Sequence, residues 1–161
     1  MAIQNKTNKT IIVFSDDLDK VMAAFMVATG AAAMGFGVSM YFTFWGLSVL
    51  RKENGKAGGK SLVDKIFALM MPKGTNKLVL SKMHMLGAGT WMMKRVMAQK
   101  QVAMLPELIK TAQDMGVNFI VCQMTMDMMG LKKEELIDGL NFTGVAGYLA
   151  ATEESNVNLF I

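Results

Sequence analysis

Cysteine is almost missing from this chain: Cys122 is the only one in 161 residues. No internal disulfide can form, and one subunit cannot build a zinc site from cysteines alone. Histidine is as scarce. His84, the single one, stands in a Lys-Met-His-Met stretch without a nucleophile elbow, so a Ser/His/Asp triad has no support. The phosphate cradles are missing too, with no G-x-x-x-x-G-K-[ST] and no G-x-G-x-x-G after the first strand-like run. Gly35-Phe36-Gly37 precedes a strand and reads as a turn. Gly87-Ala88-Gly89-Thr90-Trp91 reads at most as a helix start able to hold an anion. No internal repeat is visible. The amino end is polar, carries Lys6 and Lys9 and does not resemble a signal peptide, so a cytoplasmic, reducing compartment is expected.

Charge is missing unevenly. Val21 to Leu50 holds none, and an apolar run of that length invites comparison with a membrane helix. The run breaks at Gly35-Phe36-Gly37, however, into an Ala/Met-rich half suited to a buried helix and a Val/Tyr/Phe/Thr half suited to a buried strand. Parallel strands covered on both faces also read as continuous apolar runs, so no membrane span is expected. Residues 51–100 hold 11 of the 17 Lys and Arg but 2 of the 13 Asp and Glu, a local +9 against −5 elsewhere. Without interleaved aromatics this is not a base-stacking surface, and no nucleic-acid partner is expected. A solvated basic face, an acidic protein or a phosphate-bearing ligand all remain compatible with it.

What is present alternates between strand and helix. Thr10-Ile11-Ile12-Val13-Phe14 is a short β-branched strand, followed by Ser15-Asp16-Asp17 as a helix start and a helix from about Leu18 to Met34. A second strand runs from about Gly37 to Phe44, with Trp45-Gly46 at its exit and a helical piece over Leu47–Lys52. Residues 53–60 form a Gly/Lys-rich loop, Ser61 and Asp64 suit a capping box, and Pro72 stops that helix. Leu78-Val79-Leu80 is either a short strand or irregular. Met92, Met93, Val96 and Met97 mark one helix face, and Pro106-Glu107 open another helix that Gly116 ends. Strand 117–122 follows, then helix to about Gly139, a turn at Asn141-Phe142-Thr143-Gly144 with a helix after it, and a last strand over Asn156–Ile161. Four strands are clear and a fifth is conceivable. The expected fold is α/β, a three-layer, flavodoxin-like parallel sheet with helices on both faces, in one domain over 1–161 with a polar tail at 1–9.

Cys122 closes Val117-Asn118-Phe119-Ile120-Val121 and opens Gln123-Met124-Thr125-Met126-Asp127-Met128-Met129-Gly130. It therefore stands where a buried strand meets a helix, the level at which open α/β sheets bind ligands. Unpaired amides at a helix start favour the thiolate there. A buried structural cysteine is the alternative. Ser15 and Asp16 past strand one, and Phe44, Trp45 and Gly46 past strand two, are expected to converge on the same pocket, an apolar wall with a few polar groups. The 18 methionines raise Cu(I) as a ligand, since thiolate and thioether suit it. Helical methionine stripes also pack cores, and Met124 and Met128 share a face that Met126 does not, so no chelate is ready-made. No metal and no cofactor are expected.

Three runs carry a resemblance: Phe14-Ser15-Asp16-Asp17-Leu18-Asp19-Lys20, Tyr41-Phe42-Thr43-Phe44-Trp45-Gly46-Leu47, and above all Cys122-Gln123-Met124-Thr125-Met126-Asp127-Met128-Met129-Gly130. Together they resemble the DsrE/DsrF/DsrH-like family, and within it the subgroup with a C-Q-M-x-M-D-M-M-G segment. The resemblance implies a sulfur carrier or sulfurtransferase that holds sulfane sulfur as a persulfide on Cys122. It implies that the Gln123 and Met124 amides support the thiolate while Ser15, Asp16, Phe44, Trp45 and Gly46 line the pocket. It also implies rhodanese-like donors, small sulfur-carrier acceptors, and assembly into homo-oligomers such as trimers or hexamers. With no second thiol, sulfur must leave in trans, and a peroxidase cycle needs an external resolving thiol. A rival reading is a non-catalytic oligomeric module with a methionine-lined pocket, and a second rival is a Cu(I)-handling protein.

Overall fold

A computed structural model describes residues 7–53, 62, 66 and 69–161. Most of the Gly/Lys loop and the Ser61–Asp64 capping box lie outside the described residues. Five strands, β1 (Asn8–Val13), β2 (Val38–Phe42), β3 (Asn118–Cys122), β4 (Leu140–Thr143) and β5 (Ser155–Phe160), pair in parallel in the order β4-β3-β2-β1-β5. The chain steps outward from β1 to β4, then crosses back to lay β5 on the free side of β1.

Parallel pairing demands a crossover between successive strands, and helices supply it. α1 (Leu18–Ala33) buries Leu18, Val21, Met22, Ala24, Phe25 and Ala28, the stripe that a 3.6-residue period places on one side. Phe25 sits 6.1 Å from Phe42 and 5.7 Å, edge-on, from Phe119, so α1 is pinned to β2 and β3. Each such fully buried phenyl contributes about 1.5–3 kcal/mol. Beside α1 lies α3 (Leu105–Asp114), whose Pro106 and the Glu107 carboxylate accepting from Met104 N–H at 3.0 Å define its start. Leu105, Leu108, Ile109 and Ala112 complete the core on that face. Between them in sequence comes α2 (Ala88–Gln99), which buries little. α4 (Gln123–Met128) follows β3 directly.

α5 (Val145–Glu153) lies on the opposite face, where Tyr41, Ile120, Cys122 and Tyr148 form a small separate core. The result is three layers, as the sequence pattern implies. No helix among the described residues is long and apolar enough to cross a membrane.

Several boundaries move. Asn8 and Lys9, expected in a tail, belong to β1. Leu78–Leu80 is irregular; its Val79 carbonyl accepts from Leu18 N–H at 2.7 Å instead of joining the sheet. The helix after Cys122 ends at Met128, because Gly130 at φ +66° turns the chain out of it, and only a single turn at Lys133–Glu135 follows. Asn141-Phe142-Thr143 is not a turn but part of β4, a strand the sequence pattern did not indicate. Turn-forming residue types dominate the segment, yet its Leu140/Asn141/Phe142/Thr143 alternation suits an edge strand with one face on the core. Glycine and asparagine mislead there because propensity yields to packing at a sheet edge.

The β2 exit is tied down by a buried ion pair. Arg51 meets the Glu135 carboxylate at 3.1 Å and donates to the Met71 carbonyl at 3.2 Å, while Lys52 N–H and Ile137 N–H bond Glu135 and Leu50 carbonyls. This clasp joins the segment after β2 to the connection between β3 and β4.

Candidate functional site around Cys122

The register Phe42↔Val121 and Cys122↔Thr143 brings the carboxyl ends of β2, β3 and β4 level. Strand alternation then aims Tyr41, Thr43 and Cys122 at the α5 side of the sheet. Thr125, in the first turn of α4, donates its hydroxyl to Cys122 Sγ at 3.3 Å, and Thr43 Oγ1 lies 3.0 Å from Thr125 Oγ1. The Tyr41 hydroxyl is buried without a hydrogen-bond partner of ordinary geometry, and the group it bears on is the Cys122 sulfur. Over it stacks Tyr148, with ring centroids 4.8 Å apart and 30° between planes.

Burial pushes the Cys122 thiol up, since a charged sulfur loses water. The Thr125 hydroxyl opposes this through its bond to the sulfur, the Tyr41 hydroxyl, the Thr125 amide and the Thr43 hydroxyl also favour the charged form, and the balance falls below the ordinary 9.0. The same juxtaposition drives the Tyr41 phenol far above its usual value, because burial and a neighbouring thiolate both disfavour a phenolate. Tyr41 therefore stays protonated and acts only as a donor. Cys122 is 1% exposed, packed with Tyr148 of α5.

The sequence-derived candidates occupy the same edge of the sheet in varied states. Ser15 accepts from Asp17 N–H at 3.1 Å, which makes it a local turn former. Asp16 is half-buried and its carboxyl is raised, first by burial and then, against its own backbone amide, by the Asp17 charge. The Ser48 hydroxyl, otherwise unsatisfied, offsets part of that. Phe44 holds a left-handed backbone at φ +47°, a strained state for a phenylalanine, and packs 5.3 Å from Phe14. Trp45 is exposed. Gly46 is buried so tightly that a Cβ would stand 2.1 Å from the Val13 carbonyl oxygen, which explains a glycine there. The side chains of Gln123 and Met124 face solvent. Of the backbone amides at the start of α4, that of Thr125 bears on the Cys122 sulfur.

Nearly the whole chain, residues 5–160, matches the family described as DsrE/DsrF/DrsH-like. The chain belongs to the DsrE/DsrF/DrsH-like family. Among the relatives of this family member is the uncharacterized protein YrkE of Bacillus subtilis (strain 168), 49% identical over 94% of this chain and 95% of that protein. Another is the sulfur carrier protein DsrE2 of Allochromatium vinosum, 35% identical over 94% of this chain and 96% of its own length. Two solved structures share the fold: the ychN protein from E. coli (TM-score 0.56, 11% identical) and MTH1491 from Methanobacterium thermoautotrophicum (TM-score 0.53, 13% identical). Each covers 96% of this chain and 99% of its own.

In this DsrE-like chain, Tyr41, Thr43, Thr125 and Tyr148 escaped the reading of the sequence as site residues. Three of them carried a signal. Thr125 lies three residues past a helix-opening cysteine, the spacing at which cap and first turn meet, and Tyr41 and Thr43 share a face at period two. Tyr148 carried none, because its place depends on the return crossover to β5. Among the described residues no group of three or more His, Cys, Asp and Glu is placed to hold a metal. Of the methionines after Cys122, Met126 is buried while Met124 and Met128 are exposed.

Proposed function

We propose that this protein is a sulfur carrier that holds sulfane sulfur as a persulfide on Cys122 and hands it to an acceptor thiol. The observation that carries the reading is the Thr125 hydroxyl bonded to the Cys122 sulfur at 3.3 Å, with the Thr43 hydroxyl behind it at 3.0 Å, which favours a thiolate at the chain's one cysteine despite its burial. The 35% identity to a protein named a sulfur carrier supports the same chemistry.

In the loading step the Cys122 thiolate attacks the outer sulfur of a donor persulfide. A new S–S bond forms, the donor's S–S bond breaks, and the donor leaves as a thiolate, with no net oxidation. In the delivery step an acceptor thiolate attacks the outer sulfur and releases Cys122 as thiolate. Both partners are other molecules, because the chain has no second cysteine. Thr125 keeps donating to sulfur throughout, which lowers the charge cost of the leaving thiolate. Access requires α5 to lift from Cys122, and α5 is lightly held, since Tyr148 is its one buried residue. Homo-oligomer formation belongs to the same proposal, since exposed Met26 and Val27 on α1 and Met34 just past it leave apolar surface.

The test is intact-protein mass spectrometry after incubation with polysulfide or glutathione persulfide. A gain of sulfur that reductant removes, and that Cys122→Ser lacks, is the expected result. Uptake by Cys122→Ser would sink the proposal. A second reading, a binding module with a structural cysteine, draws on the 1% exposure of Cys122 and predicts neither sulfur uptake nor alkylation.

A further inference from the structure

We propose that the face built by α2 and the loop before it docks on an anionic lipid surface. This inference is independent of the chemistry at Cys122. Of the 12 residues of α2, Gly89, Thr90 and Met97 are buried, and the helix otherwise lies open. Trp91 is 63% exposed, Met92, Met93 and Val96 are exposed beside it, and Leu86 in the preceding loop is fully exposed. Met83, Met85, Leu86 and Gly87 all take left-handed backbone, at φ +59°, +42°, +56° and +101°. That curl leaves Met83, Met85 and Leu86 exposed on the loop that leads into α2. Apolar side chains this prominent and contiguous mark an interaction site.

Charge selects the partner. From Leu69 to Leu105 there is no Asp or Glu, while Lys73, Lys77, Lys82, Lys94, Arg95 and Lys100 supply six cations. Lys82, Arg95 and Lys100 are exposed, and Arg95 lies over the Trp91 ring at 5.5 Å. The acidic side chains bonded to this segment are engaged: Asp19 by the Ser81 amide at 2.9 Å and hydroxyl at 2.6 Å, Glu107 by the Met104 amide at 3.0 Å, and Glu53 by the Asn76 side chain. Tryptophan, methionine and leucine flanked by Lys and Arg is the make-up of surfaces that sit in the headgroup layer. A fluid lipid phase accommodates side chains that stand out from the surface, whereas a protein partner needs a matching cavity.

The experiment is flotation of the full chain with vesicles of phosphatidylcholine alone or mixed with phosphatidylglycerol, at low and high salt. The expected result is co-flotation with the mixed vesicles only, lost as salt rises. Leu86→Asp should reduce partitioning at least about tenfold, and reversing Lys82 or Arg95 to Glu roughly fivefold or more each. Trp91 fluorescence should be quenched by brominated lipid, with the quenching lost in Trp91→Phe. Failure of the wild-type chain to float with anionic vesicles would overturn the proposal. So would equal flotation with neutral ones, or retention by immobilised polyglutamate without any vesicle binding, which would assign the face to an acidic protein.

Discussion

Replacing Tyr148 by alanine should expose Cys122 without unfolding the protein. Tyr148 is 7% exposed, stacks on Tyr41 at 4.8 Å, and is the one buried residue of α5. Truncating a buried aromatic costs about 3–5 kcal/mol at a packed centre, and the ring pair itself about 0.5–1.5. This site lies at the margin of the molecule, under a 9-residue helix, so about 2–3 kcal/mol is the reasonable fraction. If that energy opposes lifting of α5, the open population and the alkylation rate rise roughly 30- to 150-fold. Iodoacetamide labelling followed by mass spectrometry reads the rate at a single thiol, and Tyr148→Phe should stay near wild type. A local opening also predicts little dependence on low urea, because little surface is exposed. Unchanged labelling in a folded Tyr148→Ala protein would refute the account of α5 as the cover.

Tyr41→Phe removes a buried hydroxyl that favours the charged sulfur, so the midpoint of alkylation against pH should move upward relative to wild type. Stability should change by less than about 1 kcal/mol in urea melts, since the lost hydroxyl was buried and unpaired. A downward move of the midpoint would contradict the donor role. Arg51→Met should cost about 3–5 kcal/mol by leaving Glu135 buried with its main cation gone, and adding Glu135→Leu should restore part of it. Equal losses in the single and double variants, measured by denaturant midpoint, would show that no coupling exists. Gly46→Ala should cost about 1–3 kcal/mol in thermal or urea unfolding, because its Cβ must displace the Val13 carbonyl.

The sequence spoke most clearly where periodicity and burial agree. The apolar runs at 10–14 and 117–122 became β1 and β3 within two residues, and Leu18 opened α1 as its acidic cap region implied. It spoke poorly at β4, where edge pairing overrode turn chemistry, and after Gly130, where a left-handed glycine ended a helix that composition would have prolonged. Within the site, the cysteine and its strand end were legible, but the hydroxyls around it were not. Their meeting depends on the β2–β3 register and on the placement of α5, both of which are tertiary facts.

The strand order carries a consequence for synthesis on the ribosome. β1 emerges first but pairs with β5, so Thr10 waits for Asn158 and Ile12 for Phe160, nearly the whole length of the chain later. Until then one border of β1 presents unpaired amides and carbonyls beside a strongly apolar strand, the kind of template that recruits foreign chains. Loop closure over so long a stretch is also slow compared with local helix formation. A nascent chain stalled before residue 155 would therefore be the dangerous species, complete in its front core yet open along one edge. Shielding of that edge by a chaperone until β5 pairs becomes part of what the cell must supply for this arrangement of strands.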